Sequence, residues 1–448
     1  MTISNKDAAA VVCRRAFGSM MTQQGRGYYV TLELLAIVWG TNDFDGTVLP
    51  TCEKTALYNR RSHDFARRLM AADPEFIRKE DLAHLSGKGA PAILEALLAS
   101  LRVPIPGRRK PPDWPSLHLY PYVGELIHYD ATVRPPNKTP KIERYLYRGA
   151  GGLAHKLLRC DPDQERLEAN RVGLRRLVSN DGGSLGKLAE ACASHDLAQR
   201  TTDPFEDKKE QECDLEDTDW VDHLRNGVRN IMGRKLVRAK QIELLMTWVP
   251  YAIARHQLDR ASAILGQRPR DLPVSLSLQN SPVRQAARRE LSHAQGLVDQ
   301  ALQVQANLEA QATDDPDEET TYSSLREQSS RRKPMVTFFT QTMATVGALN
   351  ALTGSRYLTL QMQLIEAIVC AGLSPGEVVK FDDFCHEILW GQFRIVADPR
   401  SASRTGMTTR IDAADLTNNA EQLASDLGSL GLLTEYSDAT RMVHGEVH

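Results

Sequence analysis

The sequence lacks the features that mark several large protein classes. Its seven cysteines are dispersed and form no C-x-x-C pair, which argues against a zinc ribbon or a thioredoxin-like site and predicts reduced, mostly structural thiols. No apolar run approaches the ~20 residues that span a bilayer, and the amino-terminal segment lacks the pattern of a signal peptide. The formal net charge of -2 excludes a chain that coats nucleic acid along its whole length. We therefore expect a cytoplasmic protein with no membrane partner.

The sequence also lacks the short motifs of common catalytic sites. No H-E-x-x-H, G-x-S-x-G or D-x-D-x-D-G pattern occurs in the chain. The SHD runs at 62–64 and 194–196 name the members of a catalytic triad, but contiguous side chains cannot meet as a triad does. Cys385 and His386 are adjacent and would point apart on a helix. We therefore assign no catalytic residue, no metal ligand and no cofactor, and favour a non-enzymatic protein.

The glycine-rich run RGAGGLAHK at 148–156 is the segment most similar to a nucleotide-binding loop. Lys156 is not followed by Ser or Thr, so the run is not a Walker loop. It formally matches a dinucleotide fingerprint, but the charged segment 142–148 is a poor buried strand and helices follow instead of a second strand. The sequence predicts a glycine corner that introduces a helix. A phosphate contact assisted by Arg148 stays as the alternative.

The apolar periodicity predicts a mainly α fold: a multi-domain helical protein with a long helical hairpin and a C-terminal winged-helix-like domain. One strong amphipathic helix is predicted over 54–73. Composition shifts divide the chain into seven parts. These are an N-terminal helical domain (1–103), a Pro-rich connector (104–141), a helical section (142–200), an acidic loop (201–219), a long-helix section (220–312), a flexible linker (313–334) and the winged-helix-like domain (335–448).

A long helix is predicted over 281–312. Ser281 is a typical N-cap, and Pro282 suits the first helical position. Apolar residues then recur at three- and four-residue steps for about 30 residues, which is typical of a helical hairpin or a coiled-coil arm. We therefore expect that this helix could join two copies of the chain into a homo-oligomer.

The C-terminal section predicts helices followed by a short hairpin. The alternation in QFRIVADP (392–399) indicates a strand, and residues 400–410 have the composition of a hairpin loop. A helix over 411–433 follows. In a winged-helix domain its part over about 411–427 would enter the major groove, but this part carries four carboxylates and no Lys or Arg. That charge favours the docking of a partner protein over the reading of DNA.

Basic residues are clustered in several segments, with flexible sequence between them. Such clusters are typical of proteins that contact the phosphate backbone, although solvated helix faces paired with Glu and Asp look similar. We predict nucleic-acid contacts for the following residues: Arg60, Arg61, Arg67, Arg68, Arg108, Arg109, Lys110, Arg148, Arg234, Lys235, Arg238, Arg394, Arg400 and Arg404.

Two stretches resemble a known group of proteins. ERYLYRGAGGLAHKLLR (143–159) and DLTNNAEQLASDLGSLGLL (415–433) are similar to segments of uncharacterised accessory proteins from bacterial phage-defence gene clusters, which have a C-terminal winged-helix-like domain. The resemblance implies a subunit of a bacterial complex with protein partners and DNA. We expect a non-enzymatic adaptor that contacts the DNA backbone. The alternatives are a structural scaffold without DNA contact and a nuclease-type enzyme with a dispersed site.

Overall fold

Helices carry most of the regular structure, and the prediction of a mainly α fold is confirmed. The computed structural model describes residues 3–22, 26–51, 149–179, 218–277, 281–351, 353–407 and 411–445, with short strands and a few helical positions between them. No helix in these parts of the chain is long and apolar enough to cross a membrane.

The helices of the described residues are numbered here in chain order. They are α1 (Asn5–Phe17), α2 (Tyr29–Asp45), α3 (Ala150–Arg159), α4 (Gln164–Val178), α5 (Asp219–Gly233), α6 (Arg238–Ile264), α7 (Pro282–Ala312), α8 (Pro316–Glu327), α9 (Ser329–Thr345), α10 (Met362–Gly372), α11 (Phe381–Asp383, continued by the π-helix Phe384–Gln392), α12 (Pro399–Thr405) and α13 (Ala413–Ser429).

The strands are short and form small separate sheets. They are β1 (Ala56–Arg60), β2 (Ser116–Leu117), β3 (Ala131–Thr132), β4 (Lys141–Ile142), β5 (Thr202–Glu206), β6 (Leu272–Pro273), β7 (Val378–Lys380), β8 (Ile395–Val396), β9 (Leu433–Glu435) and β10 (Arg441–His444). β1 pairs with β5, β2-β3-β4 and β7-β10-β9 form antiparallel sheets, and β6 pairs with β8 in parallel. The prediction of a helix over 54–73 is wrong for Ala56–Arg60, which form the strand β1. Part of the predicted acidic loop 201–219 forms the strand β5.

Helix α6 lies at the centre of the described fold. It packs against α1, α2, α5, α7, α9 and α10, and its residues from Trp248 to Ser262 are buried without interruption. The helix continues through Pro250. A helix buried on all sides must also bury its polar residues, and each of these then needs a partner within the protein.

The apolar stripe predicted for 281–312 is buried inside the chain itself. Ser281 caps α7 as predicted, accepting a hydrogen bond from the Arg284 backbone N–H at 3.4 Å. Along the stripe, Ala287, Leu291 and Ala294 are at most 4% exposed, and α7 packs against α1, α6, α8 and α9. Most of this stripe is therefore not free to bind a second copy, although Val304 is 38% exposed, and the homo-oligomer through 281–312 stays a prediction.

The flexible linker predicted for 313–334 is wrong, because most of it is helical. The Asp315 side chain caps α8 by accepting from the Asp317 backbone N–H at 2.9 Å, and Pro316 takes the first helical position. Tyr322 and Leu325 bury the inner face of α8, while its acidic residues face solvent. The boundary predicted at 335 falls within α9, so the helices continue where a separate domain was expected to begin.

The C-terminal hairpin predicted over 392–410 is wrong, and a hairpin lies later in the chain. Only Ile395–Val396 of the segment 392–399 form a strand. The expected hairpin loop at 400–410 begins instead with α12, which the Asp398 side chain caps by accepting from the Arg400 and Ser401 backbone N–H groups. The hairpin is formed by β9 and β10, directly after α13, and β10 also pairs with β7.

The glycine corner predicted at 148–156 is confirmed. The negative charge bound at the start of the helix that follows it is a carboxylate of the protein itself. The Glu33 carboxylate accepts hydrogen bonds from the backbone N–H groups of Gly149 (3.1 Å) and Gly151 (3.3 Å) at the first turn of α3. Glu33 is only 3% exposed. A helix N-terminus favours negative charge, and here the chain supplies that charge from α2. The buried carboxylate leaves no place for a phosphate on these two N–H groups.

We predict that Gly151→Ala destabilises the protein by about 1–3 kcal/mol, the range for overpacking. A Cβ at this position would lie 2.4 Å from the Glu33 Cβ and 2.5 Å from the Val30 carbonyl oxygen. Chemical denaturation of the two proteins measures the change. Gly296→Ala, inside α7, is the control, because its Cβ would meet nothing within 4 Å. This substitution should raise the free energy of unfolding by about 0.5–1 kcal/mol, since Ala favours a helix more than Gly does. Equal effects of the two substitutions would contradict the close packing of α3 on Glu33.

Candidate functional site

The structure describes seven of the fourteen predicted nucleic-acid contacts. Arg60 is the last residue of β1. The other predicted contacts before α3 lie outside the described residues: Arg61, Arg67, Arg68, Arg108, Arg109, Lys110 and Arg148. The remaining six positions fall on two surfaces and in one buried site.

Arg234 is a structural residue, and its prediction as a nucleic-acid contact is wrong. The residue is 2% exposed. Its guanidinium group donates to the carbonyl oxygens of Cys370 (2.8 Å) and Leu373 (2.6 Å) at the C-terminal end of α10. The last carbonyls of a helix have no partner within the helix, so a buried guanidinium group with several donors is well suited to them. A side chain in this position cannot reach a phosphate group.

Arg394, Arg400 and Arg404 do not lie on a hairpin as predicted, but they do lie at the surface. Arg394 has a positive φ of 52° and faces Asp271 at 3.6 Å. Arg400 is on the first turn of α12 and faces Asp383 at 3.8 Å, with 56% of its side chain exposed. Arg404 is exposed on the last turn of α12. Two of the three charges are therefore partly balanced by a carboxylate.

Lys235 and Arg238 belong to a basic surface that includes a second helix. We define the basic patch as Arg175, Arg176, Lys235 and Arg238. Arg176, on the last turn of α4, donates to the Met232 carbonyl oxygen near the end of α5. Arg238, at the start of α6, donates to the Ser179 carbonyl oxygen at 2.6 Å. These two contacts hold the C-terminal ends of α4 and α5 side by side.

Close packing between α4 and α5 makes this arrangement rigid. Gly173 lies against Met232, where an added Cβ would come within 2.5 Å of the Met232 Cβ. At the other end of the pair, Arg166 of α4 bonds both Asp161 and Asp222 at 2.6 Å. Arg166 is 8% exposed and Asp161 is 3% exposed, so this ion pair is shielded from solvent on one side. The patch therefore stands on two helices fixed at both ends.

The charge of the basic patch is not balanced by its own segments. Neither 169–179 nor 223–242 contains a single Asp or Glu. The next carboxylates, Glu243 and Glu366, are 3.6 Å and 2.8 Å from Lys240, which they neutralise instead. Arg175, Arg176 and Lys235 are exposed, and Arg238 is half-buried. This surface can attract an anion that presents several negative charges, such as a nucleic-acid backbone.

Sequence reasoning missed the α4 half of the patch. Arg175 and Arg176 lie about 60 positions before Lys235, and only the packing of α4 on α5 brings them together. The sequence did carry one usable signal, which is the absence of Asp and Glu from both segments. A search for basic segments that contain no Asp or Glu would have distinguished this surface from helix faces whose Lys and Arg residues pair with carboxylates.

A second polar feature, around Asp259, has no counterpart in the sequence analysis. Asp259 is 5% exposed, and burial raises the pKa of its carboxyl group to about 6. Its Oδ1 atom has no hydrogen-bond partner. Arg255 and Arg394 favour the ionised carboxylate, whereas Asp219 and Asp271 oppose it. The site places one acid, able to exchange a proton near neutral pH, within the packed centre of the fold.

Aromatic residues contact Arg255 and Asp271, two of the charged groups that act on Asp259. Arg255 lies 4.8 Å from the Trp220 ring and donates to the Phe393 carbonyl oxygen at 3.0 Å, where the π-helix of α11 has just ended. Trp390 donates from Nε1 to Asp271 at 3.2 Å. In the part of the chain that the structure describes, no three His, Cys, Asp or Glu side chains are grouped so that they could hold a metal ion.

The cysteines differ from expectation at one position. Cys13, Cys370 and Cys385 are free and buried, and burial raises the pKa of Cys13 to about 12 and of Cys370 to about 11. These thiols are unreactive at neutral pH because the thiolate is the reactive form. Cys160 is disulfide-bonded. The prediction of reduced thiols is therefore wrong for Cys160, and cysteine usage no longer supports a cytoplasmic location.

Replacing Arg234 should destabilise the fold, whereas replacing Lys235 should not. Arg234→Met leaves two buried carbonyl groups at the end of α10 without their donor, which we expect to cost about 2–4 kcal/mol. Thermal or chemical unfolding measures this cost. Lys235→Met is the adjacent control, with an expected change within about 0.5 kcal/mol because the side chain is exposed. Arg234→Met with unchanged stability would show that Arg234 is not a structural residue.

Two buried histidines should make the protein less stable as the pH falls. Burial lowers the pKa of His155 and of His256 to about 3, so in the folded protein both stay neutral until the pH approaches 3. Unfolded histidines bind protons below about 6.5, so the free energy of unfolding falls between pH 6.5 and 3. Each histidine adds a slope of up to about 1.4 kcal/mol per pH unit.

Asp259 acts in the opposite direction, because its carboxyl group is more basic in the folded protein than in the unfolded chain. It therefore adds stability as the pH falls from about 6 to 4, and only one such group opposes two histidines. Unfolding curves at several pH values should show a smaller loss of stability at low pH for the double variant His155→Gln with His256→Gln. A double variant with the slope of the unaltered protein would contradict neutral buried histidines.

Comparison with known proteins finds no match to this chain. No family model matches the chain, and neither curated proteins nor solved structures give a significant match. The similarity to accessory proteins of phage-defence gene clusters therefore stays an expectation from the sequence. The basic patch and the Asp259 site must be interpreted from their own geometry and charge.

Proposed function

We propose that the protein is a non-enzymatic accessory subunit of a bacterial, anti-phage complex and that its basic patch contacts the phosphates of nucleic acid. The observation that carries this proposal is the meeting of two acid-free segments, 169–179 and 223–242, at one rigid surface. Lys235 and Arg238 keep the role predicted for them, and Arg175 and Arg176 join them. Arg400 and Arg404 form a weaker second candidate surface, since Asp383 faces Arg400.

We further propose that residues 362–445 form a winged-helix-like unit that docks a partner protein. The order α10, β7, α11, α13, β9, β10 and the sheet order β7-β10-β9 support this assignment. The hairpin β9–β10 would be the wing, and the segment from β8 to α12 would be an insertion before α13. The exposed residues of α13 and its cap include Asp412, Glu421 and no Lys or Arg, which suits a basic protein surface better than DNA.

The long α7 would form the helical hairpin of the proposal together with α8 and α9. Helix α7 ends at Ala312, and α8 begins at Pro316 and packs back along it. Arg332 of α9 binds Asp299 of α7 at 2.8 Å and closes the arrangement. Since the buried stripe of α7 is occupied by the chain itself, we place partner binding on the C-terminal unit. We place the complex in the cytoplasm, where it would meet phage DNA.

The double variant Arg175→Glu with Lys235→Glu should weaken DNA binding at least tenfold at low salt. Reversing two charges replaces attraction to phosphates by repulsion, and fewer counterions are then released on binding. Fluorescence anisotropy with a labelled DNA, repeated over a series of salt concentrations, measures both the affinity and its salt dependence. The unaltered protein should show a linear fall of log affinity with log salt, and the variant a shallower one.

The control for this experiment carries the same change of charge elsewhere. Lys6→Glu with Lys333→Glu alters two exposed lysines on α1 and α9 and should leave DNA binding within about twofold, because neither helix packs against α4 or α5. An unaltered protein that does not bind DNA would support the purely structural scaffold instead. Metal-dependent DNA cleavage by the purified chain would contradict the non-enzymatic part of the proposal.

A further inference from the structure

We infer that the basic patch recognises double-stranded nucleic acid through its phosphates and does not bind single strands by stacking on bases. This inference rests on the proposed function and adds the class of nucleic acid to it. The chemistry recognised is the regular array of phosphates on a duplex, which DNA and RNA share.

The first reason is the lack of a stacking surface. Proteins that hold single strands combine a positive groove with aromatic side chains, on which successive bases stack. The two segments of the patch, 169–179 and 223–242, contain no Phe, Tyr or Trp, and their one aromatic ring, His223, packs edge-on against Trp220 and Phe393. Among the described residues of α5 and α6, the large aromatic side chains Trp220, Trp248 and Tyr251 are at most 1% exposed. They pack into the core, away from any bound strand.

The second reason is rigidity. Arg176 and Arg238 are each fixed by a hydrogen bond to a backbone carbonyl oxygen of the neighbouring helix, and Gly173 allows α4 and α5 to approach closely. Fixed charges match a ligand whose own charges are regularly spaced, and a duplex is far stiffer than a single strand. A flexible single strand loses conformational freedom when it follows fixed charges, and here it gains no stacking in return.

The third reason is what the exposed surface offers between the charges. Val237 is 74% exposed and lies between Lys235 and Arg238. This side chain is apolar and has no hydrogen-bonding atom, so it cannot read a base edge. Arg176 and Arg238 already donate to backbone carbonyl oxygens, so the patch is better suited to phosphate contacts than to reading bases.

The test compares three ligands at the same salt concentration: a labelled 20-base-pair DNA duplex, its single strand, and vesicles containing anionic lipid. We expect the duplex to bind at least about fivefold more tightly than the single strand, with a salt slope of about -2 to -4 for two to four neutralised phosphates. Duplexes of two unrelated sequences, and an RNA duplex, should bind within a few-fold of each other. A sequence preference above tenfold would contradict binding through the backbone alone.

The outcomes separate this inference from the proposed function. A single strand that binds as tightly as the duplex overturns the inference and leaves nucleic-acid binding intact. If neither nucleic acid binds, or if only the vesicles bind, the proposed function fails as well.

The variant Val237→Trp tests the reason given for the preference. It places an exposed ring between Lys235 and Arg238, and we expect single-strand affinity to rise about tenfold, as one stacked base provides, with little change for the duplex. A single-strand affinity that does not rise would contradict the argument from missing aromatic residues. The matched variant Val237→Leu controls for added apolar area and should change neither affinity more than twofold.

Discussion

The fold depends on arginine side chains of α5 and α6 that donate to the C-terminal ends of other helices. Arg225 donates to the end of α3, Arg260 to the end of α1, and Arg234 to the end of α10. These contacts join positions 68, 244 and 136 residues apart in the sequence. The last carbonyls of each helix would otherwise be buried without donors, and the guanidinium group carries enough N–H groups to satisfy several at once. A hydrogen bond to a charged donor contributes about 1.5–3 kcal/mol, so three such sites outweigh most single contacts in the core.

This use of arginine explains why a prediction from basic clusters names too many nucleic-acid contacts, because some of the clustered arginines are buried structural residues. Arg234 and Lys235 are neighbours in the chain, yet one is buried against α10 and the other is exposed on the basic patch. Their side chains diverge where α5 ends, and nothing in the two residue types distinguishes them. The length and N-cap of α7 could be predicted because they depend on local chemistry alone. The role of an arginine depends on which helix end lies beside it, and that is decided by tertiary packing.

The same limit applies to the glycine corner and to the pairing of short strands. The corner before α3 could be predicted, because Gly149 adopts a positive φ of 102° that other residues rarely take. Its partner Glu33 could not, since it lies 116 residues away, between apolar residues in the first half of α2. The parallel pair of β6 with β8 joins Leu272 to Ile395 through strands of two residues, too short to leave a periodic pattern. Contacts of this kind cannot be predicted from the sequence, because they depend on how the helices pack together.

The position of the basic patch limits how strongly it can bind. It stands where α4 and α5 end, and each helix C-terminus carries a partial charge of about -0.5, which repels phosphate. Arg176 and Arg238 donate to carbonyl oxygens at these ends and so offset that charge, while Arg175 and Lys235 are exposed to solvent. The patch therefore keeps a net positive charge. That is enough for salt-dependent, sequence-independent contact. It is too little for tight binding by itself, so under the proposed function specificity for a target would come from the protein partner that we propose for the C-terminal unit.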